Sequence, residues 1–190
     1  MEARPRALED PPGGVLLWLI VALELLTFAI VFVLVALLRR ESPAPFAEGQ
    51  QALSLSFGLA LTALLITSGA VAAQGIHRFR EGRLDDARRW LLGAGALGGA
   101  FVVVKVADFL QHLAAGHRLG ASDFWDAYLL STGFHLLHVV VGLGLLLGVA
   151  ARVGRRAFDD AETAVAGSVL FWHLCDVAWF FLFPLFFASA

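Results

Sequence analysis

Eight ionisable side chains sit inside long apolar stretches of the sequence: Glu24, Lys105, Asp108, His112, His135, His138, His173 and Asp176. On a helix facing lipid each costs at least a few kcal/mol, so each must find a partner. Spacing supplies some of the partners. Lys105, Asp108 and His112 fall at i, i+3 and i+7 on one helical face, where lysine and aspartate can form a local ion pair. His173 and Asp176 are again i, i+3, and a carboxylate there can fix an imidazole tautomer. His135 and His138 project about 60° apart on a helix of 3.6 residues per turn, so they share a side that must face protein, headgroup or trapped water. Glu24 has no basic partner on its own helix and needs either a proton or a partner elsewhere. A histidine of the fourth span is the obvious candidate.

Three kinds of chemistry fit these residues. One is interhelical hydrogen bonding, worth about 1 kcal/mol per contact; His112, near a helix end, suits it best. Another is haem or metal ligation by His135, His138 or His173, as in a small membrane cytochrome. His-x-x-His on one helix is too close to reach both faces of one haem, and no Cys-x-x-Cys-His attachment motif is present, so structural histidines are the expectation. The last is proton or ion conduction through Glu24, Lys105, Asp108 and Asp176, although these residues trace no continuous column. Phosphate loops, nucleophile elbows, dinucleotide fingerprints and His-Glu-x-x-His are all lacking.

The elements that must hold these side chains are apolar spans at about 15–38, 52–76, 90–115, 126–151 and 164–188, after a polar, Pro- and Gly-rich tail over 1–14. The first is too long for a signal-peptide core and long enough to cross about 30 Å of hydrocarbon. Hydrophobic residues make up 59% of the 190-residue chain and charged ones 16%, with mean hydropathy +0.77. These values predict an all-α integral membrane bundle of five transmembrane helices in one domain. Gly93, Gly95, Gly98 and Gly99 on the third span, and Gly142, Gly144 and Gly148 on the fourth, invite close helix approach.

Arginines cluster in the tail (Arg4, Arg6), between spans two and three (Arg78, Arg80, Arg83, Arg88, Arg89) and between spans four and five (Arg152, Arg155, Arg156). The other side has Arg39, Arg40 and Arg118. Basic loops stay inside, which predicts a cytoplasmic N-terminus and an outer C-terminus. A net charge of −2 gives no reason to expect a nucleic-acid partner. The single Cys175 excludes an internal disulfide. The aromatic stretch 171–187, with Trp172 and Trp179, reads as lipid-facing and interfacial surface.

Thr-Gly-Phe-His-Leu-Leu-His-Val at 132–139 and Trp-His-Leu-Cys-Asp-Val-Ala-Trp at 172–179 resemble the Gly-x-His-x-x-His and Trp-His-x-x-Asp-x-x-Trp signatures of the haem–copper oxidase subunit III family. The likeness is to its short five-helix form, without the two extra N-terminal helices of the mitochondrial type. Glu24, midway along the first span, and Lys105-Val-Ala-Asp108 on the third extend it, with Asp108 standing where the family more often has glutamate. Leu182-Phe-Pro-Leu185 looks more like the branch associated with nitric oxide reductases. The resemblance implies an accessory subunit of a respiratory complex in the plasma membrane. It implies no redox centre in this chain, a catalytic subunit I as partner, and phospholipid held in a cleft. It further implies that Glu24 lies at that cleft and hydrogen-bonds His138 as a protonated acid on a neutral imidazole.

Overall fold

A computed structural model of the chain describes residues 14–155, 158 and 160–188. The predicted tail, with Arg4 and Arg6, falls outside the described residues except for Gly14, as does Arg156. Five long apolar helices are present among the described residues: α1 (Gly14–Glu41), α3 (Leu55–Arg80), α4 (Leu84–Ala114), α5 (Asp123–Arg152) and α6 (Ala161–Phe187). Each is longer than the roughly 20 residues needed to span hydrocarbon. The short α2 (Pro43–Ala52) occupies what the sequence predicted to be a loop. Ser42-Pro43 starts it, proline being pre-organised for the first helical turn.

Local chemistry sets the ends. Ser54, Ser122 and Asp160 cap α3, α5 and α6 by accepting the backbone N–H of Phe57, Trp125 and Thr163, satisfying donors that a helix start leaves free. α3 closes with Gly82 at φ +76° and the Arg83 N–H on the Arg78 carbonyl, a left-handed turn suited to glycine. The helix then restarts at Leu84, earlier than the predicted 90, because Asp85 and Asp86 favour the positive end of its dipole.

α3, α4, α5 and α6 form a closed ring in which each contacts its sequence neighbour and α6 returns to α3, while α1 lies outside against α6 and α5. The buried residues of α1 are Val21, Phe28 and Val35, one seam at seven-residue intervals. Leu16, Leu19, Leu23, Leu26 and Val33 on its other faces are exposed. α2 seals one end of the bundle: Gln50 donates to the carbonyls of Leu185 and Ala188, at 3.3 and 3.1 Å, and Ser42 bonds Asp123.

The aromatic end of the sequence behaves differently from expectation. Trp172 is 0% and Trp179 1% exposed, and α6 is the most enclosed of the long helices. Both tryptophans are core residues and not lipid-facing surface. Each indole N–H finds a hydroxyl on α3: Trp172 donates to Ser68 at 3.1 Å, Trp179 to Thr62 at 3.0 Å. A buried N–H with a ready acceptor makes a large ring affordable at the centre of a bundle. Phe180 and Phe181 do face outward. The glycines divide in the same way. A Cβ at Gly98 would lie 2.4 Å from Trp172, and one at Gly95 2.4 Å from Leu147, whereas Gly99, Gly144 and Gly148 have nothing within 4 Å. Of the α4 glycines, Gly95 and Gly98 are thus the ones that side chains of α5 and α6 approach closely.

Candidate functional site

The predicted site residues separate into two groups by depth along the helices. Near the middle, Glu24 of α1 meets His138 of α5, with Oε2 2.9 Å from Nε2. His138 Nδ1 lies 2.9 Å from the Phe134 carbonyl. A carbonyl only accepts, so Nδ1 carries a proton, and one further proton lies between Nε2 and the carboxyl. Whichever partner holds it, the pair is neutral overall, which suits a site in hydrocarbon. The pair is not sealed: side-chain exposure is 25% for Glu24 and 12% for His138. A groove of about 340 Å³ runs beside α1 and α5, lined by Val31, Leu34, Leu38, Leu130 and Phe134.

His135, one turn away, points elsewhere. It is fully buried and its Nε2–H donates to the Cys175 carbonyl of α6 at 3.0 Å. Phe101 and Trp179 surround it, and Nδ1 has no hydrogen-bond partner. On α6 itself, His173 Nδ1 is 3.0 Å from Asp176 Oδ2, as the i, i+3 spacing predicts. Gly69 of α3 makes room for that carboxylate: a Cβ there would lie 2.0 Å from Oδ2. The structure therefore joins Glu24 to His138 and His173 to Asp176, but it does not bring His135, His138 and His173 onto one point.

The second group lies near the C-terminal end of α4. Lys105 Nζ donates to Asp108 Oδ2 at 2.8 Å and contacts the Tyr128 hydroxyl at 2.5 Å, while that hydroxyl donates to the same carboxylate oxygen at 2.9 Å. Lys105 is wholly buried. The rings of Tyr128 and Phe109 lie 4.5 and 4.7 Å from its ammonium, adding cation–π attraction. Asp108 Oδ1 turns to His112 Nε2 at 3.3 Å, and His112 Nδ1 faces His117 Nδ1. Burial and then the neighbouring His112 hold the His117 imidazole below its ordinary value. A cavity of about 570 Å³ opens on Asp108, Gln111 and His112.

Sequence reasoning missed Tyr128 and His117. Tyr128 is the chain's only tyrosine, and its phenol at the start of an apolar span was the available signal of a partner for a buried cation. His117 was legible through Gly116, which ends α4 and turns the next residue back. Among the described residues, no group of three or more His, Cys, Asp or Glu side chains is placed to hold a metal ion.

Comparison with known proteins fits this arrangement. The family described as cytochrome c oxidase subunit III matches residues 44–189. The chain is 24% identical to quinol oxidase subunit 3 of Bacillus subtilis, over 87% of this chain and 81% of that protein. It is 29% identical to cytochrome c oxidase subunit 3 of Corynebacterium diphtheriae, over 72% and 67%. It is 33% identical to the subunit 3 of Thermostichus vulcanus cytochrome c oxidase, over 65% and 61%. The multi-pass chain with its two histidine strings belongs to the cytochrome c oxidase subunit III family of the haem–copper oxidases.

Proposed function

We propose that this chain is a non-catalytic subunit of a terminal haem–copper oxidase in a respiratory electron-transport chain, packing on catalytic subunit I, stabilising it and holding phospholipid beside α1. The observation that carries this reading is the incompletely covered Glu24–His138 pair at mid-membrane depth. A carboxyl left a quarter open on a helix that touches its own bundle along one seam calls for cover from outside the chain. A groove further along α1 and α5, reaching Phe134 beside His138, offers mostly apolar walls to an acyl chain, and the exposed leucines of α1 offer surface to lipid or to a neighbouring subunit.

Residues 15–190 act in this reading as one five-span domain of the plasma membrane. The grouping of Arg78, Arg80, Arg83, Arg88, Arg89, Arg152 and Arg155 at one end of the helices supports a cytoplasmic N-terminus and an outer C-terminus. Relatives named as quinol and cytochrome c oxidase subunits favour an oxidase over a nitric oxide reductase as the complex joined. Glu24, Lys105, Asp108, His135, His138, Trp172, His173, Asp176 and Trp179 serve contacts between helices, lipid and partner, with no redox centre among them.

The test is purification in mild detergent from native membranes. The chain should carry a larger multi-haem subunit with it, and native mass spectrometry should find phospholipid bound, with less retained in Glu24→Ala. A Soret band from the isolated chain that vanishes on replacing His135, His138 or His173 would instead establish a small cytochrome. Proton flux through the reconstituted chain alone would establish a conductor.

A further inference from the structure

The end of α4 is built by hydrogen bonds that also place two histidines. The His117 N–H bonds the His112 carbonyl at 2.9 Å and the Gly116 N–H bonds the Leu113 carbonyl at 3.1 Å. Gly116 sits in the left-handed region at φ +88°. In this closure the residue after the glycine folds back over the helical residue five places earlier. Here both are histidine, and their Nδ1 atoms face one another 3.3 Å apart.

At that distance an N–H of one ring can donate to the bare nitrogen of the other when no ion is present. Two nitrogens bound at about 2.0–2.1 Å to one tetrahedral ion also lie about 3.3 Å from each other, so the pair is already spaced for one. The surroundings suit that use. His112 Nε2 is 3.3 Å from Asp108 Oδ1. A carboxylate only accepts, so the neutral His112 carries its proton on Nε2 and turns a bare Nδ1 lone pair toward His117. This is the arrangement in which an outer carboxylate orients a metal-binding imidazole. Lys105 and Tyr128 fix Asp108 in turn, and Trp125 stacks on the His117 ring at 3.9 Å and 10°.

We propose that His112 and His117 are a chelating pair for one divalent transition-metal ion of the zinc, copper or nickel class, with Asp108 as the supporting carboxylate. Imidazole prefers these ions to magnesium or calcium. Two protein ligands leave the remaining positions to water, so the ion exchanges readily. It ties the α4–α5 connection to the buried Lys105 cluster, and this assignment stands independently of which complex the chain joins.

The experiment uses the untagged full chain in detergent, or the complex it co-purifies with, titrated with zinc and, in parallel, with copper(II) followed by electron paramagnetic resonance. One zinc should bind with at least tenfold higher affinity than in His117→Ala, and magnesium should not compete. The copper spectrum should show hyperfine coupling to two imidazole nitrogens, falling to one in the variant. Asp108→Asn should weaken zinc about tenfold. His117→Gln provides a second comparison if His117→Ala loses its helical circular dichroism. Equal zinc affinity in wild type and a folded His117 variant, or a copper spectrum that the variant leaves unchanged, would overturn the assignment.

Discussion

Lys105–Asp108 and Glu24–His138 are both acid–base pairs at membrane depth, yet they are enclosed to different extents. The first shares one carboxylate oxygen among an ammonium and a phenol, is roofed by aromatic rings, and is made within the ring of four helices. The second joins the ring to its outlying helix and remains partly open. The comparison teaches that a closed pair is an internal matter of one chain's stability. An open pair within the same spans concerns whatever lies against the chain. The two pairs differ in burial, and the position of the helix carrying the acid accounts for the difference.

Substitution can break that contrast, and the largest effect is expected at the closed pair. Lys105→Met leaves Asp108 buried without its cation and should cost about 3–5 kcal/mol of bundle stability, read from unfolding in detergent. Replacing the cluster together, as Lys105→Met with Asp108→Leu and Tyr128→Phe, should recover most of the loss, since an apolar core of similar volume serves as well. A single variant as stable as wild type would show that the ion pair is not confined. Next comes Gly98→Ala, whose new Cβ would meet Trp172 at 2.4 Å; about 1–3 kcal/mol is expected. Gly99→Ala on the adjacent, open face should be neutral or slightly stabilising, and equal losses at both sites would refute the packing argument.

Smaller effects sharpen the comparison. Thr62→Val nearly keeps the side-chain shape and removes the acceptor of the Trp179 N–H, so about 1 kcal/mol should be lost, measured by the same unfolding assay. At the open pair, Glu24→Ala should change the isolated chain least, by under about 1 kcal/mol, while shortening the active life of the assembled complex during turnover. Glu24→Gln, which can still donate to His138 Nε2, should restore most of that life. A destabilised isolated chain with an undisturbed complex would reverse the assignment of the two pairs.

Much of this arrangement was readable beforehand where the spacing lies within one helix. Lys105, Asp108 and His112 pair as their i, i+3 and i+7 positions require, and so do His173 and Asp176. The partner of Glu24 was narrowed to a histidine on the fourth span by need for a hydrogen bond, and to His138 by family resemblance. What escaped depended on tertiary placement. Trp172 and Trp179 look like interfacial aromatics until Ser68 and Thr62 on another helix supply acceptors for their N–H groups. α2 lacks the length of a span, so hydropathy passed over it despite the Ser-Pro start. Tyr128 lay inside the fourth span but carries no charge, and His117 stood outside the apolar runs, so neither figured among the buried ionisable groups.

The single seam of α1 has a bearing on how the chain is made. Glu24 precedes His138 by 114 residues, and at a synthesis rate of about 5–20 residues per second the interval between them is on the order of 10 s. Throughout that delay the newborn first helix must shelter its acid with water, a neighbouring headgroup or a chaperoning insertase. A nascent chain stalled before His138 emerges is where such a temporary custodian could be trapped by crosslinking.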